Sequence, residues 1–339
     1  MRKNVALIAL AALLLLGVSW WWHRAHGGAL VVYCAHDAIY ADSILHDFEK
    51  RSGIPVAIRY DTEATKSLGL TELLIREKDA PRCDVFWNNE LLGTTDLQDR
   101  GILQPYQGSG YARIPAAFKA PDGSWTGFAA RMRVIIYNTQ KIGSTPPNLT
   151  MLLPGTDLSR IALAKPLYGT TLTHYVVLWH EWGGDKLRAW HRQWRTDRVK
   201  ELDGNAAVKD AVAEGACYAG FVDTDDYFEA KDDGRPVAMQ PVELDDGKTI
   251  CIPNTVAIIR GSRHSGAARK LVDFLLSEET ELALANSKSR QIPLGPVPQD
   301  QLQADVRELK PWADKGVDLT ALGPARAECL AWLKTWYTP

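Results

Sequence analysis

The chain has 339 residues, more than one hydrophobic core usually organises, so two α/β lobes are expected over one large domain. Lysine plus arginine (39) and aspartate plus glutamate (41) nearly cancel and form no long block of either sign, which argues against nucleic acid as a partner. With 46% apolar and 9% aromatic residues, the chain has material for a sizeable core and lacks the composition of a disordered segment.

In chain order, Val5 to Trp22 is an apolar run preceded by Arg2 and Lys3 and followed by His23 and Arg24. Its 18 residues would reach roughly 27 Å as a helix, close to the thickness of a bilayer core. Trp20, Trp21 and Trp22 stand where an interfacial aromatic belt would lie, and Ala25-His26-Gly27 offers small residues at a cleavage spacing. Residues 1–28 are therefore either a cleaved signal peptide or an uncleaved membrane anchor. The basic N-terminus sends the remainder to the extracytoplasmic face.

Ala29 to Tyr33 reads as a strand, Tyr40 to Arg51 as a helix with Ile44, Leu45 and Phe48 on one face, and Val56 to Tyr60 as a second strand. A helix from Thr65 to Lys78 and a strand from Cys83 to Trp87 complete a strand-helix alternation, which implies a mainly parallel sheet. Pro121-Asp122-Gly123 marks a turn, and Trp125 to Phe128 and Val134 to Tyr137 read as two strands with Arg131 between them. A second alternating region runs from Ile161 through helices carrying Trp179, Trp182, Trp190 and Trp194, the helix Ala206 to Glu214 and the strand Tyr218 to Val222. The tryptophans at near-helical spacing read as a core stripe in preference to a ligand cage. Thr255 to Ile259 reads as a strand, and His264 to Leu276 and Ala325 to Trp336 as helices. The expected division places 29–130 with 254–290 in one lobe and 131–253 with 291–339 in the other.

Ligands of such sheets bind beyond the carboxyl ends of the strands, so the residues just after each strand carry the functional argument. Four polar clusters stand there: His36-Asp37, Asp61-Thr62-Glu63, Asn88-Asn89-Glu90 and Asp223-Thr224-Asp225-Asp226. Each alone suits a helix cap or turn, while together they suit one binding cleft. Pro166-Leu167-Tyr168-Gly169-Thr170-Thr171 leads into a helix whose free N–H groups and hydroxyls suit an anion. Arg131 is placed either to clamp that anion or to pair with a carboxylate as a strut. No phosphate-loop, nucleophile-elbow or HExxH pattern is found, and the chain reads as a binder, not an enzyme. Five cysteines at irregular spacing fit no zinc pattern; buried free thiols are expected, with Cys217–Cys251 as the alternative disulfide.

Val31-Val32-Tyr33, the run Asp84-Val85-Phe86-Trp87-Asn88-Asn89-Glu90, Gly127 to Thr139 (with Arg131-Met132-Arg133-Val134) and Ile252-Pro253-Asn254-Thr255-Val256-Ala257 resemble the extracellular solute-binding proteins of ABC importers. Within that family the chain is most similar to the branch of periplasmic ferric-ion-binding proteins. The resemblance implies a periplasmic-binding-protein-like fold of type II, two α/β lobes joined by crossing hinge strands, working as a monomer with an ABC permease. It also implies a cleft for Fe3+ or another hard metal with a synergistic anion. Where that branch has two adjacent tyrosines, this chain has Asp225 and Asp226; Asp37 stands near its histidine position, beside His36, and Asn89 and Glu90 in its carboxylate region. By the same resemblance Asn205 and Gly169, Thr170 and Thr171 hold the anion, and Asp37, Glu90, Asp225 and Asp226 hold the metal. Tyr227 serves only if the register slips by one. The same acids suit a small organic solute such as a polyamine, and the anion site a phosphonate or sugar phosphate. A sensory ectodomain is the remaining alternative.

Overall fold

Residues 28–61, 67–142 and 158–338 are described by the structure, a computed structural model. Residues 1–27, on which a signal peptide or anchor is expected, Thr62 and Glu63 lie outside the described residues, and no described helix is long and apolar enough to cross a membrane.

Among the described residues ten strands form one sheet, eight of them in the order β2-β1-β3-β10-β5-β8-β6-β7. On one side stand β1 (Leu30–Cys34), β2 (Val56–Tyr60) and β3 (Val85–Asn88), mutually parallel about β1. On the other stand β6 (Ile161–Ala164), β7 (Lys200–Leu202) and β8 (Ala219–Asp223), parallel about β6. Between them run the long strands β5 (Thr126–Asn138) and β10 (Cys251–Ile259), antiparallel to their neighbours. The short β4 (Leu103–Gln104) pairs with β10, and β9 (Val237–Pro241) with β5.

β5 joins the two halves. Its residues 126–132 pair with β10, and from Arg133 onward it pairs with β8 and β9. The sequence expectation of two strands flanking Arg131 is corrected here, because this segment is one strand of 13 residues, buried along its whole length. Two arginines in an apolar run look like an interruption. They are accommodated because Asp223, at the end of β8, pairs with both.

Helices cover the sheet where the apolar stripes dictate. In Ala38–Ser52, residues Ala41, Ile44, Leu45 and Phe48 are buried, and Gly53, at φ +68°, ends the helix in the left-handed conformation that favours glycine. Helices Leu68–Arg76 and Leu92–Asp99 flank the first half. Gly169–Trp182, Gly184–Thr196, Asn205–Ala213 and Thr224–Asp232 flank the second. Ser265–Leu275 and Glu278–Ala285 return to the first half, packing on β10 and β5, and Gly323–Tyr337 packs along Gly169–Trp182. The sequence signal missed Leu92–Asp99, Thr224–Asp232, Glu278–Ala285 and Ala304–Ala313, the last because Pro311 lies inside it. Trp179, Trp190 and Trp194 are buried, with Trp190 and Trp194 rings 4.2 Å apart, so the tryptophan stripe is core. All five cysteines are buried thiols outside any disulfide, so Cys217 and Cys251 are not bridged.

Candidate functional site

The strand directions bring the chemistry together. β1 and β3 end at one edge of their half, and β6, β7 and β8 at one edge of theirs, so the loops after them face a common cleft. The cleft spans about 490 Å³, open solvent included, and is lined by Asp37 after β1, Asn89 after β3, Lys165 and Tyr168 after β6, Asp203 and Asn205 after β7, and Asp223, Asp225 and Asp226 at the end of β8. Arg131 rises into it from β5, and Gly169, Thr170 and Thr171 from the start of the Gly169–Trp182 helix.

Asp223 is the fixed point. Its Oδ1 accepts from Arg133 Nη1 at 2.8 Å, and its Oδ2 from Arg131 Nε at 3.2 Å, Thr170 Oγ1 at 2.6 Å and Asn205 Nδ2 at 3.1 Å. Burial alone would push this carboxyl up, but Arg133, Arg131 and Thr170 outweigh it and hold it below the usual carboxylate range. Burial likewise opposes the charge on Arg131, yet Asp225, Asp223 and Asp37 together hold its guanidinium above the ordinary value. Arg131 also donates through Nη2 to the Asn89 carbonyl at 2.7 Å, so one side chain touches both halves of the fold.

Asp225 and Asp226 occupy the first turn of Thr224–Asp232, and Asp226 Oδ2 accepts the Asp223 N–H at 3.0 Å. One carboxylate oxygen from each of Asp223, Asp225 and Asp226 lies within 4.8 Å of the others. Lys165 pairs with Asp203 at 3.3 Å and the two arginines with Asp223, while Asp37, Asp225 and Asp226 line the same cleft, with Asp225 and Asp37 also acting on Arg131. Opposite them, the Gly169–Trp182 helix points its N-terminus at the cavity, with Thr171 Oγ1 donating to Asn205 Oδ1 at 3.1 Å. The arrangement suits a cation against the acids with an anion against the helix start.

Of the residues expected from the sequence, Asp37, Asn89, Arg131, Gly169, Thr170, Thr171, Asn205, Asp223, Asp225 and Asp226 line this one cavity. Glu90 and Asn88 do not. Glu90 turns away, accepting from Ser67 Oγ at 2.6 Å and from the N–H groups of Leu92 and Gly93, so both oxygens cap the Leu92–Asp99 helix and neither faces the acids. Asn88 is buried and donates to Glu90 and to Thr94 Oγ1. Tyr227 packs beside Phe228, away from the cavity, and the register does not slip. Lys165 and Asp203 were missed, although each directly follows its strand and the rule that selected Asp37 applies to both.

A family model described as bacterial extracellular solute-binding protein matches residues 30–287. The chain is 25% identical over 261 residues to iron uptake protein A1 of Synechocystis, covering 72% of this chain and 70% of that protein. Among solved structures, iron-bound HitA from Pseudomonas aeruginosa superposes with a TM-score of 0.79 at 21% identity, covering 91% of this chain and 99% of that one. The binding protein AfuA from Actinobacillus pleuropneumoniae, with fructose-6-phosphate bound, gives 0.76 at 19% identity, covering 91% and 98%. At these identities the likeness of the solved structures establishes the fold.

Proposed function

The chain belongs to the bacterial extracellular solute-binding proteins, and from that premise we propose that it captures a hard metal ion, ferric iron first, with a small anion, and delivers it outside the cytoplasm to an ABC permease. The observation that carries this reading is that Asp37, Asp225 and Asp226 line one cleft together with the N-terminus of the Gly169–Trp182 helix. Oxygen-only ligands of this charge suit a hard cation, and the N–H groups with Thr170, Thr171 and Asn205 suit the oxygens of an accompanying anion. Asp37, Asp225 and Asp226 are the metal ligands in this reading. Glu90 is not, because its oxygens are committed elsewhere. The Synechocystis relative is named for iron uptake and the Pseudomonas structure is iron-bound, which supports the choice of cation. The division into a lobe of 29–130 with 254–290 and a lobe of 131–253 with 291–339 is part of the proposal, as is a monomer that closes about β5 and β10.

The deciding experiment is titration of the exported domain with ferric citrate in the presence of phosphate, followed by metal analysis. Stoichiometric iron in the wild type is expected, with affinity at least about tenfold weaker in Asp225→Ala and Asp226→Ala. Iron uptake unaffected by both substitutions would sink the assignment. A second reading, a phosphorylated sugar, is favoured by the Thr170-Thr171-Asn205 cradle and by the ligand of the AfuA structure. A thermal shift with fructose-6-phosphate and none with iron would select it.

A further inference from the structure

The strand crossing carries a chain of buried hydrogen bonds that the cleft acids do not use. Ala129, within β5, has φ +42°, a left-handed conformation that a side chain disfavours. It lies where the register between β5 and β10 shifts at Pro253 and Asn254. Its N–H donates to the buried Glu281 Oε1 at 3.0 Å, and its carbonyl accepts from Asn254 Nδ2 at 2.6 Å. Its neighbour Ala130 exchanges both backbone hydrogen bonds with Ile292 at 2.7 Å. Such a conformation persists where its surroundings over-determine it.

The same Asn254 is wired to the cleft. Its Nδ2 also donates to Gln291 Oε1 at 2.7 Å, Gln291 Nε2 donates to His36 Nε2 at 2.9 Å, and Arg131 Nη1 reaches Asn254 Oδ1 at 3.4 Å. Donor counting fixes the orientation of both amides: the Ala129 carbonyl can only accept and Arg131 can only donate, so Asn254 turns its NH2 to Ala129 and Gln291, Gln291 presents its oxygen to Asn254, and its own NH2 is left to donate to His36. Asn254 and Gln291 are wholly buried. His36 adjoins Asp37, and Arg131 lines the cleft.

We propose that Asn254 and Gln291 are positioning residues that tie Arg131 and His36 to the left-handed hinge at Ala129, so that a ligand drawn against Arg131 biases the angle between the lobes. This rests on the reading of the cleft as the binding site. The mechanism requires only that the ligand contact Arg131 better in one hinge state than in the other. A network that merely specifies packing would leave the lobe angle untouched when it is cut.

The test places spin labels at Lys50→Cys and Arg192→Cys, exposed positions on opposite halves, and measures the interlobe distance distribution with and without ferric citrate and phosphate. Asn254→Asp keeps the shape and the oxygen facing Arg131 but removes both N–H donations, and Gln291→Leu cuts the link to His36. In both, the unliganded distribution is expected to broaden about twofold and ferric citrate to dissociate about tenfold faster at a nearly unchanged association rate. Ala129→Gly removes no hydrogen bond and is expected to broaden the distribution too, which keeps the test decisive where a polar variant fails to fold. Distributions matching the wild type in the folded variants overturn the proposal. A wild type that takes up no ferric citrate overturns the iron reading alone, since the unliganded distributions still decide whether Asn254 and Gln291 hold the hinge.

Discussion

Arg131 Nε and Asp223 Oδ2 meet at 3.2 Å in an ion pair that is buried on both sides, and Asp223 holds Arg133 Nη1 at 2.8 Å with its other oxygen. One aspartate thus pairs with two arginines inside the crossing strand, and the positive charge left over on Arg131 is met by Asp225 and Asp37. Asp223→Asn strands both guanidiniums, whereas Arg131→Met leaves Asp223 with Arg133. Breaking a buried pair from one side costs about 3–5 kcal/mol, so Asp223→Asn is expected to lower stability by at least that and by more than Arg131→Met. Urea unfolding of the two variants checks the order. Because the folded-state pKa of Asp223 is depressed, the stabilisation is present above the unfolded carboxylate value and is lost as pH falls through the lower folded one. The acid limb of the wild-type stability curve is therefore expected to flatten in Asp223→Asn.

Glu90 stands in a sequence cluster that suggests a ligand, yet its oxygens serve Ser67 and the start of the Leu92–Asp99 helix. Glu90→Gln replaces one acceptor oxygen by a donor facing N–H groups. The expected result is a loss of about 1–3 kcal/mol in denaturant unfolding, with ferric citrate affinity within about threefold of the wild type. An iron affinity that collapses while stability holds would return Glu90 to the metal set.

The strand ends were legible because Asp, Asn and Thr follow short apolar runs, and that local contrast survives folding: Asp37, Asn89, Asp225 and Asp226 converge as their positions imply. Which neighbour in a cluster faces the cleft was not legible. Asn89 enters and Glu90 turns to a helix start, a choice made by the chain direction leaving β3 and by free N–H groups that no residue pattern displays. The unity of β5 was hidden for a different reason. Arg131 and Arg133 fit its core only because Asp223 meets them from about 90 positions along the chain, and a local window contains no such partner. Asn254 and Gln291 were masked by the apolar runs around them; their amides matter through each other.

His191 is buried among aromatic rings, with Nδ1 at 2.9 Å from the Tyr175 hydroxyl and the Trp336 ring 5.2 Å away. Burial, assisted by Arg195, pulls its pKa from 6.5 to about 4. The imidazole is neutral in the fold, while the unfolded chain takes up a proton below about pH 6.5. Between these values the unfolded state binds more protons, so stability falls as pH drops from 6.5 towards 4, by about 3 kcal/mol from this group at the low end. His191→Gln is expected to be less stable at pH 7 yet to lose less on acidification. Parallel stability curves for the two proteins over this range would refute the assignment.

Gly220 lies in β8 directly beneath the Asn205–Ala213 helix, which supplies Asn205 to the cleft. A Cβ at this position would stand 2.4 Å from Val208 Cγ1 and 2.8 Å from the Ala162 carbonyl oxygen. Val208 is fully buried and the second contact is to the backbone of β6, so Gly220→Ala must lift the helix or spread the strands. Overpacking of this kind costs about 1–3 kcal/mol. Because the lifted helix carries Asn205 away from Thr170 and Asp223, to which its Nδ2 donates at 3.2 and 3.1 Å, the loss of stability should come with weaker anion-assisted binding. Ferric citrate affinity measured with and without phosphate separates the two effects: the phosphate enhancement should shrink in Gly220→Ala. An enhancement that survives intact alongside the lowered stability would show that the strain is absorbed in Val208 and never reaches the cleft.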